Sequence, residues 1–190
     1  FSKIRSFLSD NPDKPAVAFP KMQFFTPNRY NLKTNIVIAY NKKKFPEIKL
    51  NGGGDLCLPT LNNKEILPSD VPILSDIFLW NYDCMFKTKE VISKDRARFA
   101  RAWYRCFGDW GNEDGNDEQK AFETWFGMIE GRYKNHTKKM EYRNHPKYIQ
   151  DKINELDETQ FGYSAFGLEE KLHDTVLSKF YRKFKKTKEV

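Results

Sequence analysis

The hydrophobic pattern changes period once along this chain, and that single change limits the folds open to it. Up to about residue 50, apolar residues come in short runs broken by turn formers. Ala16-Val17-Ala18-Phe19 and Met22-Gln23-Phe24-Phe25 are separated by Pro20, which lacks an N–H and confines the stretch to an edge or bent strand. Thr34 to Tyr40 is the clearest strand, β-branched and bounded by polar residues. Asn41 to Lys44 reads as a turn, and Phe45 to Leu50 alternates weakly. Asn51-Gly52-Gly53-Gly54-Asp55 is a second turn. Residues 55–68, with Pro59 and Pro68, read as an extended loop.

From Ser69 onward the apolar spacing becomes three and four residues. Ser69 is expected to cap a helix carrying Ile73, Leu74, Ile77, Phe78 and Trp80. Ser93 is expected to cap a second, ending near Gly108. Further helices are expected over Glu118 to Glu130, over His145 to Leu156 with Pro146 in the first position, and from Leu168 to about Phe184. Strands first and helices after give an α+β protein. A short N-terminal β region (about 16–50) is followed by a mainly helical C-terminal half (about 69–186). Residues 1–190 are read as a single domain, and a subdivision into 1–68 and 69–190 is also compatible with the pattern.

Composition narrows the class. The chain is polar, with a mean hydropathy of −0.77. It nevertheless holds 16 Phe, 9 Tyr and 4 Trp, enough ring surface to offset chain entropy and argue against global disorder. No apolar run approaches the roughly 20 residues of a membrane-spanning helix. Cys57, Cys84 and Cys106 are odd in number and widely spaced, which fits free thiols in an intracellular, reducing compartment. Phe1 to Arg5 does not open a secretory signal, and a removed one stays open.

Charge is arranged in blocks. The formal net charge is +7. Residues 1–50, 91–110, 131–150 and 179–190 carry +7, +3, +5 and +5. The intervening 51–90, 111–130 and 151–178 carry −3, −5 and −5. Four basic segments suit phosphate backbones, while alternating signs also suit pairing between subunits.

The most informative segment runs from Ser93 to Phe107. Ile92, Phe99, Trp103 and Cys106 make one apolar stripe at helical spacing. Lys94, Arg98, Arg101 and Arg105 make a second, spanning about 16 Å at 1.5 Å per residue. Guanidinium forks match phosphate oxygens bidentately, so this row is a candidate backbone ligand. Trp103 and Tyr104 are conditional candidates for stacking on a base, since at this spacing Phe99 and Trp103 suit a core better than a stacking platform. From Arg132 to Lys147, cations interleave with rings without a clean apolar face, which reads as an exposed segment. Lys138, Lys139 and Arg143 are its candidate phosphate contacts. The run Lys179 to Lys188 places cations at a helix C-terminus, which the dipole alone accounts for; a mobile basic arm is the functional alternative.

Catalytic and metal signatures are weak. The acidic run Asn112 to Glu118 misses calcium-loop spacing, because Trp110 would fall in the first ligand position. Glu47-Ile48-Lys49 echoes a metal-dependent nuclease pattern, but the preceding strand lacks the second carboxylate. Gly52 to Gly54 lacks the Lys-Ser/Thr of a phosphate-binding loop. His136, His145 and His173 show no zinc spacing, and no cofactor is implied. The sequence therefore favours a non-enzymatic protein binding single-stranded RNA or DNA through a basic and aromatic surface. The alternative is a self-assembling structural protein, such as a viral coat, nucleocapsid or occlusion component. Homo-oligomers through the charge blocks fit either, and a nuclease ranks third.

Overall fold

Two long strands at the start of the chain set the architecture. β1 (Ala16–Thr26) and β2 (Arg29–Tyr40) form an antiparallel hairpin joined by a two-residue turn at Pro27-Asn28. The Thr26 hydroxyl donates to Asn28 Oδ1 at 2.8 Å and ties the turn. The computed structural model describes residues 2–50, 58–108, 115–157 and 159–166, with the side chains of residues 34–38, 106 and 107 excepted. The fold is α+β, with antiparallel strands in the N-terminal half and helices in the C-terminal half. The four-stranded sheet has the order β5-β1-β2-β6, where β5 is Leu79–Asn81 and β6 is Thr137–Lys139. The expected helix from Leu168 to Phe184 and the basic run after it lie outside the described residues, as do Cys57 and His173.

The chain divides into two compact units. The first comprises residues 1–22 and 32–81. Its core gathers Ala16 and Ala18 of β1 with Ile48, Ile66 and Val71, and Tyr40, Phe45 and Leu61 pack against them. The helix α1 (Ser2–Asp10) was not anticipated, although Ile4, Phe7 and Leu8 stand at helical spacing. A small hairpin, β3 (Thr60–Leu61) and β4 (Lys64–Glu65), turns through Asn62 and Asn63. Their φ values of 53° and 62° are left-handed, a conformation asparagine tolerates better than most residues.

One expectation fails in this unit. The helix from Ser69 to Trp80 does not form. Pro68–Asp70 makes one 3₁₀ turn, and the chain then runs extended beside β1. Ala18 donates to Pro72 O at 2.9 Å, and Leu74 donates back to Ala18 O at 3.0 Å. Pairing with a buried strand thus overrides an amphipathic helical pattern. Pro20 sits in a strand that has neighbours on both sides, β5 and β2. The N–H of Ala18 points toward residues 72–74, and alternation puts the Pro20 nitrogen on the same side. There the parallel bridge of Ala18 with Ile73 has already ended in a turn at Ser75-Asp76, so no ladder bond is lost.

The second unit comprises residues 23–31 and 82–190. It holds α2 (Asp83–Phe86), α3 (Lys89–Phe107), α4 (Glu118–His136), α5 (Lys147–Asn154) and α6 (Phe161–Phe166). Its core is Phe25, Cys84, Ile92, Phe122, Ile129, Tyr133, Phe161 and Phe166. The rings interlock edge to face. Phe161 meets Phe122 at 5.6 Å and 89°, and Phe25 meets Tyr133 at 5.8 Å and 89°. Burying each of these large side chains stabilises the unit by about 1.5–3 kcal/mol. Most of residues 132–147 are exposed, as their cations suggest, but the segment is structured and anchored at three positions. α4 continues to His136, β6 follows at once, and Tyr133, Thr137 and His145 are all buried.

Candidate nucleic-acid interface

All the candidate residues fall in the second unit, in two groups. The first is α3. Its N-cap is Thr88, whose hydroxyl accepts from Val91 N at 3.4 Å, and it ends at Gly108 in the left-handed conformation, with φ 70°. Ser93, expected at the N-cap, lies one turn inside and donates to Lys89 O at 2.9 Å. The buried face of α3 carries Ile92, Ala97 and Ala100. Phe99 and Trp103 are half-buried, with their rings 6.1 Å apart. The expected fourth member of that stripe, Cys106, has its side chain outside the described residues.

The opposite face carries Lys94, Arg98, Arg101 and Arg105, and all four are exposed. Their commitments differ. Lys94 pairs with Glu90 at 2.5 Å, one turn back. Arg98 is 74% exposed and only 3.5 Å from Asp95, whose carboxylate is engaged by Lys87 at 2.8 Å. The Lys87 hydrogen bond holds Asp95 below the usual carboxylate range. Arg101 donates through Nη1 to the carbonyl of Gly115. A Cβ at Gly115 would meet the Arg101 backbone nitrogen at 2.8 Å, so only glycine allows this approach. Arg101 is therefore partly spent on tying α3 to the chain ahead of α4. Tyr104 borders the cationic face and is exposed, whereas Trp103 packs inward.

Arg96, also on α3, lies between two rings. Its guanidinium sits 5.3 Å from the centroids of both Phe99 and Trp125, which is cation–π geometry. This cation belongs to the packing between α3 and α4.

The second group sits on β6 and the turn after it. β6 pairs antiparallel with β2, placing Lys139 opposite Arg29 and Lys138 opposite Tyr30. Thr137 is buried and donates to Tyr133 O at 3.2 Å, anchoring the strand. Lys138 and Lys139 are exposed on the edge of the sheet. Arg143 pairs with Glu141 at 2.6 Å, with both side chains largely in solvent, so the pair contributes little to stability. The segment is held by His145, whose Nδ1 is 3.0 Å from the Tyr82 hydroxyl and whose Nε2 is 2.6 Å from Pro27 O.

One aromatic escaped assignment from sequence. Tyr148, on the first turn of α5, is 70% exposed while Ile149 and Ile153 hold the other face of that helix. The signal was present: Tyr148 falls outside the apolar pair at spacing four.

Among the described residues, no group of three His, Cys, Asp or Glu side chains is placed to hold a metal ion. Cys84 is buried with its Sγ 3.9 Å from the Gln23 amide, and burial pushes its thiol up to about 12, far from a reactive thiolate. No described helix is long and apolar enough to cross a membrane. No protein-family model, curated protein or solved structure matches this chain.

Proposed function

We propose that this protein binds nucleic acid, single strands in particular, with the cationic face of α3 as its main phosphate contact. One observation carries the reading: Lys94, Arg98, Arg101 and Arg105 are exposed together along one face of an uninterrupted helix. The buried face of that helix fixes its rotation, so the four cations project as a set. Guanidinium groups at steps of three and four residues can follow successive phosphates. The Arg101 bond to Gly115 shifts most of this role to Arg98 and Arg105.

Fluorescence anisotropy with labelled short oligonucleotides across a salt series tests the reading. Wild-type protein is expected to bind with log Kd rising steeply with log salt. The double variant Arg98→Ala/Arg105→Ala is expected to bind all sequences more weakly. Its slope should fall by roughly 0.7 for each single-strand phosphate that the protein no longer neutralises. No binding at low salt would sink the proposal. Unchanged affinity and slope in the double variant would move the site off α3.

A further inference from the structure

We infer that residues Gly115 to Glu118, which lead into α4, form an autoinhibitory strap that holds Arg101 back from phosphate and offsets the charge of Lys94. This rests on the nucleic-acid reading above and adds how that site is restrained. Arg101 stands in the exposed row of α3, yet its Nη1 donates to the Gly115 carbonyl. Gly115 itself is buried, pressed onto the backbone of α3. A Cβ there would come within 2.8 Å of the Arg101 nitrogen and 3.1 Å of the Ala97 carbonyl oxygen. Both neighbours are backbone of a helix, which cannot give way as a flexible side chain could. Only glycine at 115 therefore lets the segment deliver its carbonyl to the middle of the cationic row.

A second cation feels the same segment. The hydrogen bond to Glu90 raises the Lys94 pKa above its ordinary value, and the charge of Glu118 adds to the effect through space. Asp117 and Glu118 are both exposed. The segment thus offers one cation a carbonyl and another a negative charge. The helices do not depend on this contact to begin or end. Asp117 Oδ1 caps α4, accepting from Gln119 N at 2.9 Å and Lys120 N at 3.0 Å, while α3 stops at its own Gly108. The two helices also pack through Ile92 and Phe122 in the core and through Arg96 over Trp125. A phosphate drawing on the Arg101 Nη1 donor has to displace the Gly115 carbonyl. A guanidinium bonds a phosphate oxygen roughly twice as strongly as a neutral carbonyl, so a strand makes the exchange but loses the energy of the broken bond. Arg101 is then a two-position element with one acceptor in the chain and one in the ligand.

The test measures binding of a labelled short oligo(dT) across a salt series. Gly115→Ala forces the strap off α3 and is expected to bind roughly two- to fivefold more tightly than wild type. Its salt slope should steepen by roughly 0.7, the value of one added phosphate contact. Adding Arg101→Ala to Gly115→Ala is expected to abolish both gains. In the wild-type background, Arg98→Ala is expected to weaken binding by roughly two- to fivefold, and Arg101→Ala by less than Arg98→Ala. Circular dichroism checks the fold of each variant. A folded Gly115→Ala protein that binds no more tightly than wild type overturns the inference, and so does a gain that survives Arg101→Ala. If Gly115→Ala does not fold, the single variants still decide: equal losses from Arg98→Ala and Arg101→Ala would mean that Arg101 already serves phosphate and nothing holds it back. Those outcomes leave the function proposal standing. Absence of binding by wild type and Gly115→Ala alike would overturn both.

Discussion

His145 has its protonation state fixed by what surrounds it. The Pro27 carbonyl accepts only, so Nε2 carries the proton, and Nδ1 accepts from the Tyr82 hydroxyl. Phe24 closes the site, its ring stacked 4.6 Å from Tyr82 and 4.9 Å from the imidazole. Burial raises the Tyr82 pKa and keeps it a donor. Burial also lowers the His145 pKa below its ordinary 6.5, with the Pro27 bond opposing part of that shift. Protonation would set an N–H against the Tyr82 hydroxyl hydrogen. The sign for stability follows. As pH falls through about 6.5 the unfolded chain takes up a proton that folded His145 refuses, so stability is full above that value and declines below it. Urea midpoints at about pH 7.5 and about pH 5.5 measure this. Wild-type protein should lose more stability on acidification than His145→Gln, which should itself be less stable by about 1–3 kcal/mol at neutral pH. Parallel losses in the two proteins would show that His145 does not carry the effect.

At the scale of single elements, the start of α3 separates what sequence suggests from what packing decides. Both Thr88 and Ser93 are good capping residues, and Ser93 stands nearer the arginine run. The helix begins a turn earlier because Ile92 belongs to the core and Lys87, just before it, is bound to Asp83 and Asp95 at 3.3 and 2.8 Å. Thr88→Ala is therefore expected to cost about 0.5–1 kcal/mol. Ser93→Ala is expected to stay within about 0.5 kcal/mol, since alanine's helix propensity offsets the lost bond to Lys89 O. Chemical denaturation of both variants checks it, and the reverse order would return the cap to Ser93. The same logic sorts the rest of the chain. β2, α3 and α4 were legible because residue type and periodicity agree there, although the α3 cap was not. The Ser69 helix failed because long-range bonds to Ala18 are invisible in a local pattern. The Arg stripe could be read from spacing alone. The diversion of Arg101 to Gly115, the inward packing of Trp103 and the exposure of Tyr148 depend on tertiary neighbours that no spacing encodes.

For the molecule as a whole, the question is which partner the charge pattern serves. Strict block-to-block attraction between copies needs acidic faces left open. The structure instead pairs several carboxylates with cations close by in the chain: Glu90 with Lys94, Glu130 with Lys134, and Glu155 with Lys152, each at 2.5 Å. Each such exposed pair contributes little to stability, yet each reduces the negative field that a second copy would meet. Cations such as Arg98, held only at 3.5 Å, stay available. A net +7 spread over the chain then favours repulsion between copies and attraction to polyanions. Light scattering at low salt should accordingly report the 22.5 kDa mass of this chain without concentration dependence, and the mass should rise by one strand when a short oligonucleotide is added. A mass that climbs with protein concentration at low salt and falls again as salt is added would mean that opposite charges on neighbouring copies attract more strongly than like charges repel. In that event the charge blocks serve self-assembly, and nucleic-acid binding becomes a property of the assembly.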